Sequence, residues 1–195
     1  MPSDVTLLAF DTSAAHCAAA LLVDGRVTTR VEEMTKGQAE RLMPFLNAVL
    51  NDAGLDWTDL DAIGVGVGPG NFTGIRISVA AARGLALGLG KPAIGVSTLE
   101  AQAHGQTRPC RAVTEARRGT VYAQVFPDGT PEMLDEGAVP DDLPRAGPVA
   151  AQTLVTNIAQ IAATRLAGHQ LRPAPLYIRG ADAAPPSDPP PVILP

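Results

Sequence analysis

Hydrophobic residues fall along the chain in two rhythms. Near the start they come in short runs, Leu7 to Phe10, Cys17 to Val23 and Val27 to Glu32, with Asp24-Gly25 between the last two. Runs of that length read as strands, and Asp-Gly between two of them is a hairpin signal, so three successive strands open the chain. From 37 to 53 the spacing changes to three and four residues (Leu42, Phe45 or Leu46, Val49, Ala53), which predicts an amphipathic helix stopped by Gly54 and bent at Pro44. Met43, Phe45 and Leu50 widen its apolar stripe, which suits a broad core face or a second partner.

Residues 62–92 combine both rhythms. Ile63, Val65 and Val67 alternate as in a strand, Gly68-Pro69-Gly70 makes a tight loop, and helix formers then run on to Gly90 and Pro92. From Gly74 to Leu89 the helix is apolar or small, and its charges, Arg76 and Arg83, share one face. That composition predicts burial nearly all round. Small residues recur at four-residue spacing on two faces: Gly74, Ser78, Ala82 and Ala86 on one, Ala80, Gly84 and Gly88 on the other. Backbone can approach closely on both, which predicts packing on the helix's own sheet and against another helix.

Ala93 to Val96 predicts a fourth short run, and Ser97 caps a short helix from Thr98 to His104. The order β-β-β-α-β-α-β-α suits a mixed sheet with helices packed on it. Arg108-Pro109 marks a boundary, giving an N-terminal lobe over 1–108, a smaller lobe over 109–180 and a tail over 181–195. In the smaller lobe Arg111 to Thr114 and Val121 to Phe126 read as strands and 127–148 as a loop. A helix is expected from about Ala150 to Leu166, and Leu176-Tyr177-Ile178 is a last apolar run. Six prolines among residues 181–195 predict an extended, disordered tail.

Composition narrows the function classes. With 15 Lys and Arg against 20 Asp and Glu the net charge is −5, and only 4% of residues are aromatic. Such a chain is not built to grip nucleic acid by its phosphates or to stack bases. Cys17 and Cys110, and the three histidines at 16, 104 and 169, are too scattered for a metal-ligand spacing. Met1 to Thr6 carries no signal-peptide pattern, and Arg76 and Arg83 interrupt the one candidate membrane span, so a cytoplasmic location without a membrane partner is expected. Arg108, Arg111, Arg117 and Arg118 gather near the boundary around Glu115, as a small anion-binding patch or a solvated cluster.

Two stretches offer candidate chemistry. Asp11-Thr12-Ser13 sits in a turn, where its carboxylate and hydroxyls can serve a metal or phosphate or bond their own backbone. Gly68 and Gly70 precede a helix N-terminus, a place that suits phosphate. Yet no Lys-Ser/Thr follows at P-loop spacing and the glycines miss the dinucleotide-binding spacing, so a tight turn with close helix packing is the simpler reading. Arg76 in the first turn opposes the helix dipole, which suits an anionic neighbour or a solvated side chain. Asp11, Thr12, Gly68 and Gly70 remain weak candidates for contacting a nucleotide, and no cofactor is assigned.

Taken together, several stretches resemble the bacterial TsaB (YeaZ-type) family. They are Leu-Leu-Ala-Phe-Asp-Thr-Ser (7–13), Gly-Val-Gly-Pro-Gly-Asn-Phe-Thr-Gly-Ile-Arg-Ile (66–77), Gly-Leu-Ala-Leu-Gly (84–88), Gly-Val-Ser-Thr-Leu-Glu-Ala (95–101) and Pro-Leu-Tyr-Ile-Arg (175–179). The resemblance covers residues 5 to about 126 well and the rest loosely. It implies an actin-like, Hsp70-like ATPase fold with two ribonuclease-H-like lobes of mixed sheet flanked by helices, the second lobe here reduced. It also implies a part in forming N6-threonylcarbamoyladenosine beside the anticodon of tRNAs that read codons starting with A. In the family a paralogue, TsaD, transfers the threonylcarbamoyl group, TsaB-like proteins are its non-catalytic partner, and the ATPase TsaE joins the complex. TsaD-like proteins carry a metal-binding His pair where this chain has Thr98 and Gln102, which cannot replace imidazoles.

The same resemblance places the partner interface on the helices at 37–53 and 73–89, paired with TsaD or, in its absence, with a second copy. Leu42, Phe45, Leu46, Val49, Ile75, Arg76, Val79 and Arg83 are its expected contacts; tRNA is met only through the complex, and ATP or ADP is a weak candidate at a partner interface. The alternative is an ATP-dependent phosphotransferase of the same superfamily, with Asp11 and Thr12 on metal and phosphate. Against it, residues 112–120 make a poor second phosphate loop and the chain is short for a kinase of this kind; Glu115-Ala116-Arg117, where the resembled family usually has Asp-Ala-Arg, is a mild departure from that family.

Overall fold

In the computed structural model, which describes residues 5–168 and 171–178, strand β1 (Leu7–Asp11) decides what the first sheet packs against. Leu7 and Ala9 point to one face and Leu8 and Phe10 to the other, and all four are fully buried, so the sheet is covered on both sides. The expected proline-rich tail lies outside the described residues. β2 (His16–Val23) and β3 (Arg26–Glu33) pair antiparallel beside β1. The hairpin between them turns at Asp24 and Gly25, both at positive φ (48° and 77°). β4 (Ala62–Gly66) and β5 (Ala93–Val96) add in parallel on the other side, giving the order β3-β2-β1-β4-β5.

Helices α1 (Gln38–Asp52) and α2 (Phe72–Leu89) cover one face. Phe45, Leu46 and Leu50 of α1 join Leu8, Phe10, Ile63 and Val65 in that core. Each large side chain so buried contributes about 1.5–3 kcal/mol. α2 starts where the Asn71 side chain accepts from Gly74 N–H at 3.0 Å and ends at Gly90 in the left-handed region (φ 64°). Apolar and small as it is, α2 is not buried all round: its inner face closes on the sheet, while Ala80, Gly84, Leu87 and Gly88 are exposed. By length and composition alone it would also suffice for a membrane span.

The opposite face is covered by α4 (Ala151–Arg165), through Leu154, Val155, Ile158 and Ala162 against Leu7, Ala9 and Ala20. That corrects the expected division, in which this helix belonged to the second lobe. Its amphipathic pattern marks an apolar face without saying which sheet receives it. Gly64 is what brings β4 close, since a Cβ there would stand 3.2 Å from that of Ala162.

The second sheet is small. β6 (Cys110–Glu115) and β7 (Thr120–Phe126) form its hairpin, and the stretch read as a loop supplies two short strands, β8 (Glu132–Asp135) and β9 (Arg145–Ala146), in the order β8-β7-β6-β9. Helix α3 (Thr98–Ala103), capped by Ser97, joins the sheets: Leu99 and Ala103 pack on Cys110, Ala112 and Phe126, while Ala101 packs with α4. The mixed first sheet flanked by helices agrees with the ribonuclease-H-like lobe expected from the sequence.

Candidate functional site

The glycine loop between β4 and α2 is laced to the turn after β1. Asn71 N–H donates to Ser13 O at 2.6 Å, and Thr98 N–H donates to Gly68 O at 2.7 Å. A Cβ on Gly70 would come within 2.6 Å of Ser13 O, and one on Gly74 would overlap the Thr12 carbonyl. These glycines are required by the close approach of two backbones, which supports the tight-turn reading over a phosphate cradle.

The turn itself is organised by Asp11, which is fully buried. Its Oδ1 accepts from Ser13 N–H at 2.9 Å and Ser13 Oγ–H at 2.8 Å, and His16 Nε2 lies 3.1 Å away. Thr12 Oγ1–H donates to Gly74 O at 2.7 Å. Asp11 Oδ1 and Thr12 Oγ1 are thus engaged in joining β1, β2 and α2, while Asp11 Oδ2 is buried without a hydrogen-bond partner. His16, whose place in the sequence suggested no metal site, completes the network.

Between the two sheets opens a cleft of about 590 Å³. Ser13, Gly70, Asn71 and Glu33 line one side and Glu115, Arg117 and Tyr122 the other, with Thr98 and Gln102 at the base. Thr98 Oγ1 and Gln102 Oε1 are buried without a hydrogen-bond partner. The residues of the cleft do not fit the nucleotide that an actin-like fold implies. Glu33 and Glu115 line the cleft, with Arg117 its one Lys or Arg side chain among the described residues, a charge balance that repels a polyphosphate. The candidate second phosphate loop is a hairpin closed on itself, with Ala116 N–H donating to Thr120 O at 3.0 Å and Arg118 and Gly119 at positive φ (57° and 75°). Thr98 and Gln102, one helical turn apart, offer a hydroxyl and a carboxamide, weak ligands for a transition metal.

The second candidate is the outer surface of α1 and α2. Leu42, Phe45, Leu46, Ile75 and Val79 are at most 2% exposed and Val49 is 7% exposed, so the expected contacts on a partner are side chains of this chain's own core. The most apolar positions of an amphipathic helix face its own sheet. Outward instead point Met43, Pro44 and Asn47 from α1 and Ala80, Gly84, Leu87 and Gly88 from α2, with Leu87 86% exposed. Gly84 and Gly88 stand in open space: a Cβ on either would meet nothing within 4 Å.

Arg76 and Arg83 are turned to one flank of α2, where the segment 171–178 crosses. Arg83 Nε–H donates to Pro173 O at 2.6 Å and Leu176 N–H donates to Val67 O at 2.8 Å. Arg76 stacks on Phe72, 3.8 Å from its centroid, and its Nε–H donates to Tyr177 Oη at 2.8 Å. The neighbour that Arg76 suggested is therefore a phenol and an aromatic ring. Of the arginines near the lobe boundary, Arg111 is buried and bound to Asp142 at 2.6 Å, which holds that carboxyl below its usual range. Arg108 lies over Phe126.

Comparison with known proteins agrees with this architecture. The model of the family TsaD, tRNA N6-adenosine threonylcarbamoyltransferase, matches residues 31–136. The tRNA threonylcarbamoyladenosine biosynthesis protein TsaB of Escherichia coli is 40% identical over 121 residues, 60% of this chain and 52% of that protein. The match thus spans about half the length of that relative. An uncharacterized protein of Mycobacterium tuberculosis is 32% identical over 92% of this chain and 94% of its own length. The structure of YeaZ from Pseudomonas aeruginosa superposes with a TM-score of 0.72 at 29% identity, covering 89% of this chain and all of that one. With the actin-like, ribonuclease-H-like sheet and its motifs in place, the chain belongs to the TsaB (YeaZ-type) family.

Proposed function

We propose that this chain is a non-catalytic partner subunit in the formation of N6-threonylcarbamoyladenosine in tRNA, acting in the cytoplasm by docking on TsaD, with TsaE joining the pair. The observation that carries this reading is the outer face of α2. A glycine inside a helix costs about 1 kcal/mol relative to alanine, and Gly84 and Gly88 incur that cost with no neighbour of their own to accommodate. Beside them Leu87 is almost fully exposed. Glycines without a Cβ let a second helix approach closely, and Leu87 supplies an anchor. The cleft supports the non-catalytic part of the reading, because its carboxylates and closed hairpin suit neither a triphosphate nor a phosphotransfer step.

The contacts assigned to TsaD are therefore Met43, Pro44, Asn47, Ala80, Gly84, Leu87 and Gly88, in place of the core residues first expected. A second copy of the chain competes for the same face when TsaD is scarce. Size-exclusion chromatography with light scattering tests this, using TsaD from the same source and the natural chain beside Leu87→Asp. A one-to-one complex that the substitution abolishes, with the circular dichroism of the free chain unchanged, is the expected result. Absence of a complex with active TsaD overturns the reading.

A further inference from the structure

Phe72, Tyr122 and Tyr177, three of the seven aromatic residues in the chain, line one groove of about 570 Å³. The Phe72 and Tyr177 rings stand 5.2 Å apart at 33°, and each residue is close to half exposed (46% and 48%). Arg76 and Arg117 add two cations to the same groove, and among the described residues neither is paired with a carboxylate. In a chain with only 4% aromatic residues and a net charge of −5, this is an uncommon concentration of rings and positive charge.

Ile178, the last described residue, is part of the groove wall. Three residues later the sequence enters Ala-Asp-Ala-Ala-Pro-Pro-Ser-Asp-Pro-Pro-Pro-Val-Ile-Leu-Pro, whose only charged side chains are Asp182 and Asp188. Proline fixes φ near −65° and favours the polyproline helix, which loses little entropy on binding and is recognised by aromatic-lined grooves. The seven residues from Ile178 to Pro185 can extend about 23 Å, enough to reach any part of the groove. Tethering makes docking intramolecular, at an effective concentration in the millimolar range.

The geometry points to an intramolecular docking site: the groove of Phe72, Tyr122 and Tyr177 takes the chain's own proline-rich segment 185–191, with Asp188 inside it and Asp182 just before it answering Arg76 and Arg117. This site does not depend on the partner reading above, because it occupies the flank of α2 and leaves Gly84 and Leu87 free. It adjoins the cleft, since Gly70, Arg117 and Tyr122 line both cavities.

Hydrogen–deuterium exchange on the full-length protein tests it. The natural chain is compared with a variant carrying Pro185→Ser, Pro186→Ser, Pro189→Ser, Pro190→Ser and Pro191→Ser, and with Phe72→Ala on the natural tail. Peptides covering 70–77 and 117–123 are expected to exchange at least threefold faster in the serine variant, with the β1 peptide unchanged. Phe72→Ala should accelerate 117–123 to the same degree. Equal exchange in the natural chain and the serine variant overturns the proposal. It is equally overturned if adenosine monophosphate, added as a planar anionic probe, protects both chains alike, for the groove would then be a nucleotide surface the tail does not occupy.

Discussion

On the inner face of α2, Gly74 lies against the Thr12 carbonyl and Ser78 donates from Oγ to Gly66 O at 3.2 Å. On the outer face, Gly84 and Gly88 have nothing within 4 Å. The residue types are alike, yet only the inner set is explained by the chain's own packing. Small residues on a helix mark a close approach, and whether the approaching backbone is the chain's own can be read only once the fold is known. The contrast gives α2 its meaning: one face holds the fold together, and the other is the face proposed above to meet a partner.

The largest effect that separates the faces is expected from Gly74→Ala. Its Cβ would collide with backbone that cannot swing aside, so the variant should lose about 3 kcal/mol or fail to fold, measured by urea denaturation. Gly84→Ala should instead gain up to about 1 kcal/mol in the same experiment, since alanine is the better helix former and has space. A loss at position 84 comparable to that at 74 would erase the distinction.

Next in size comes Asp11→Ala, which leaves the buried Ser13 N–H and the Ser13 hydroxyl without their acceptor. About 1–3 kcal/mol should be lost through the inner face alone, with docking on TsaD unaffected after correction for the folded fraction. A smaller effect concerns Cys17, whose thiol burial pushes up to about 11. In a Cys110→Ser background it should react with a thiol reagent near neutral pH on the order of a hundredfold more slowly than in urea.

The smallest concerns α1 and the edge strand. Arg41 donates to Glu32 at 2.6 and 2.7 Å and holds its carboxyl below the usual value. With the folded-state pKa depressed, this contribution is present above the unfolded value and fades as pH falls through the folded one. Arg41→Ala should flatten the acid limb of a stability–pH curve slightly, and the difference should shrink in high salt.

Much of the fold was legible because local signals and long-range packing agree along the first hundred residues. Asp24-Gly25, Gly54, Gly90 and Ser97 punctuate the elements where the sequence indicates. β8 and β9 were hidden because strands of four and two residues carry no alternation and exist only through pairing with β7 and β6. The site was less legible. An apolar stripe shows that Leu42, Phe45 and Ile75 are covered but not by what, so core residues passed for interface residues. What Arg76 and Arg83 touch within the chain was hidden because Tyr177 and Pro173 lie some 90 to 100 positions along it. The helical glycines at 84 and 88 were the available signal.

The most direct test of the account is the dissociation constant for TsaD, by calorimetry, of the natural chain and Gly84→Leu, with the urea midpoint of each free chain measured alongside. The account predicts an unchanged or higher midpoint together with affinity weakened at least tenfold, the branched side chain standing where a partner helix must approach. Equal affinity for the two chains would contradict it, and the outer face of α2 would then have no role in this partnership.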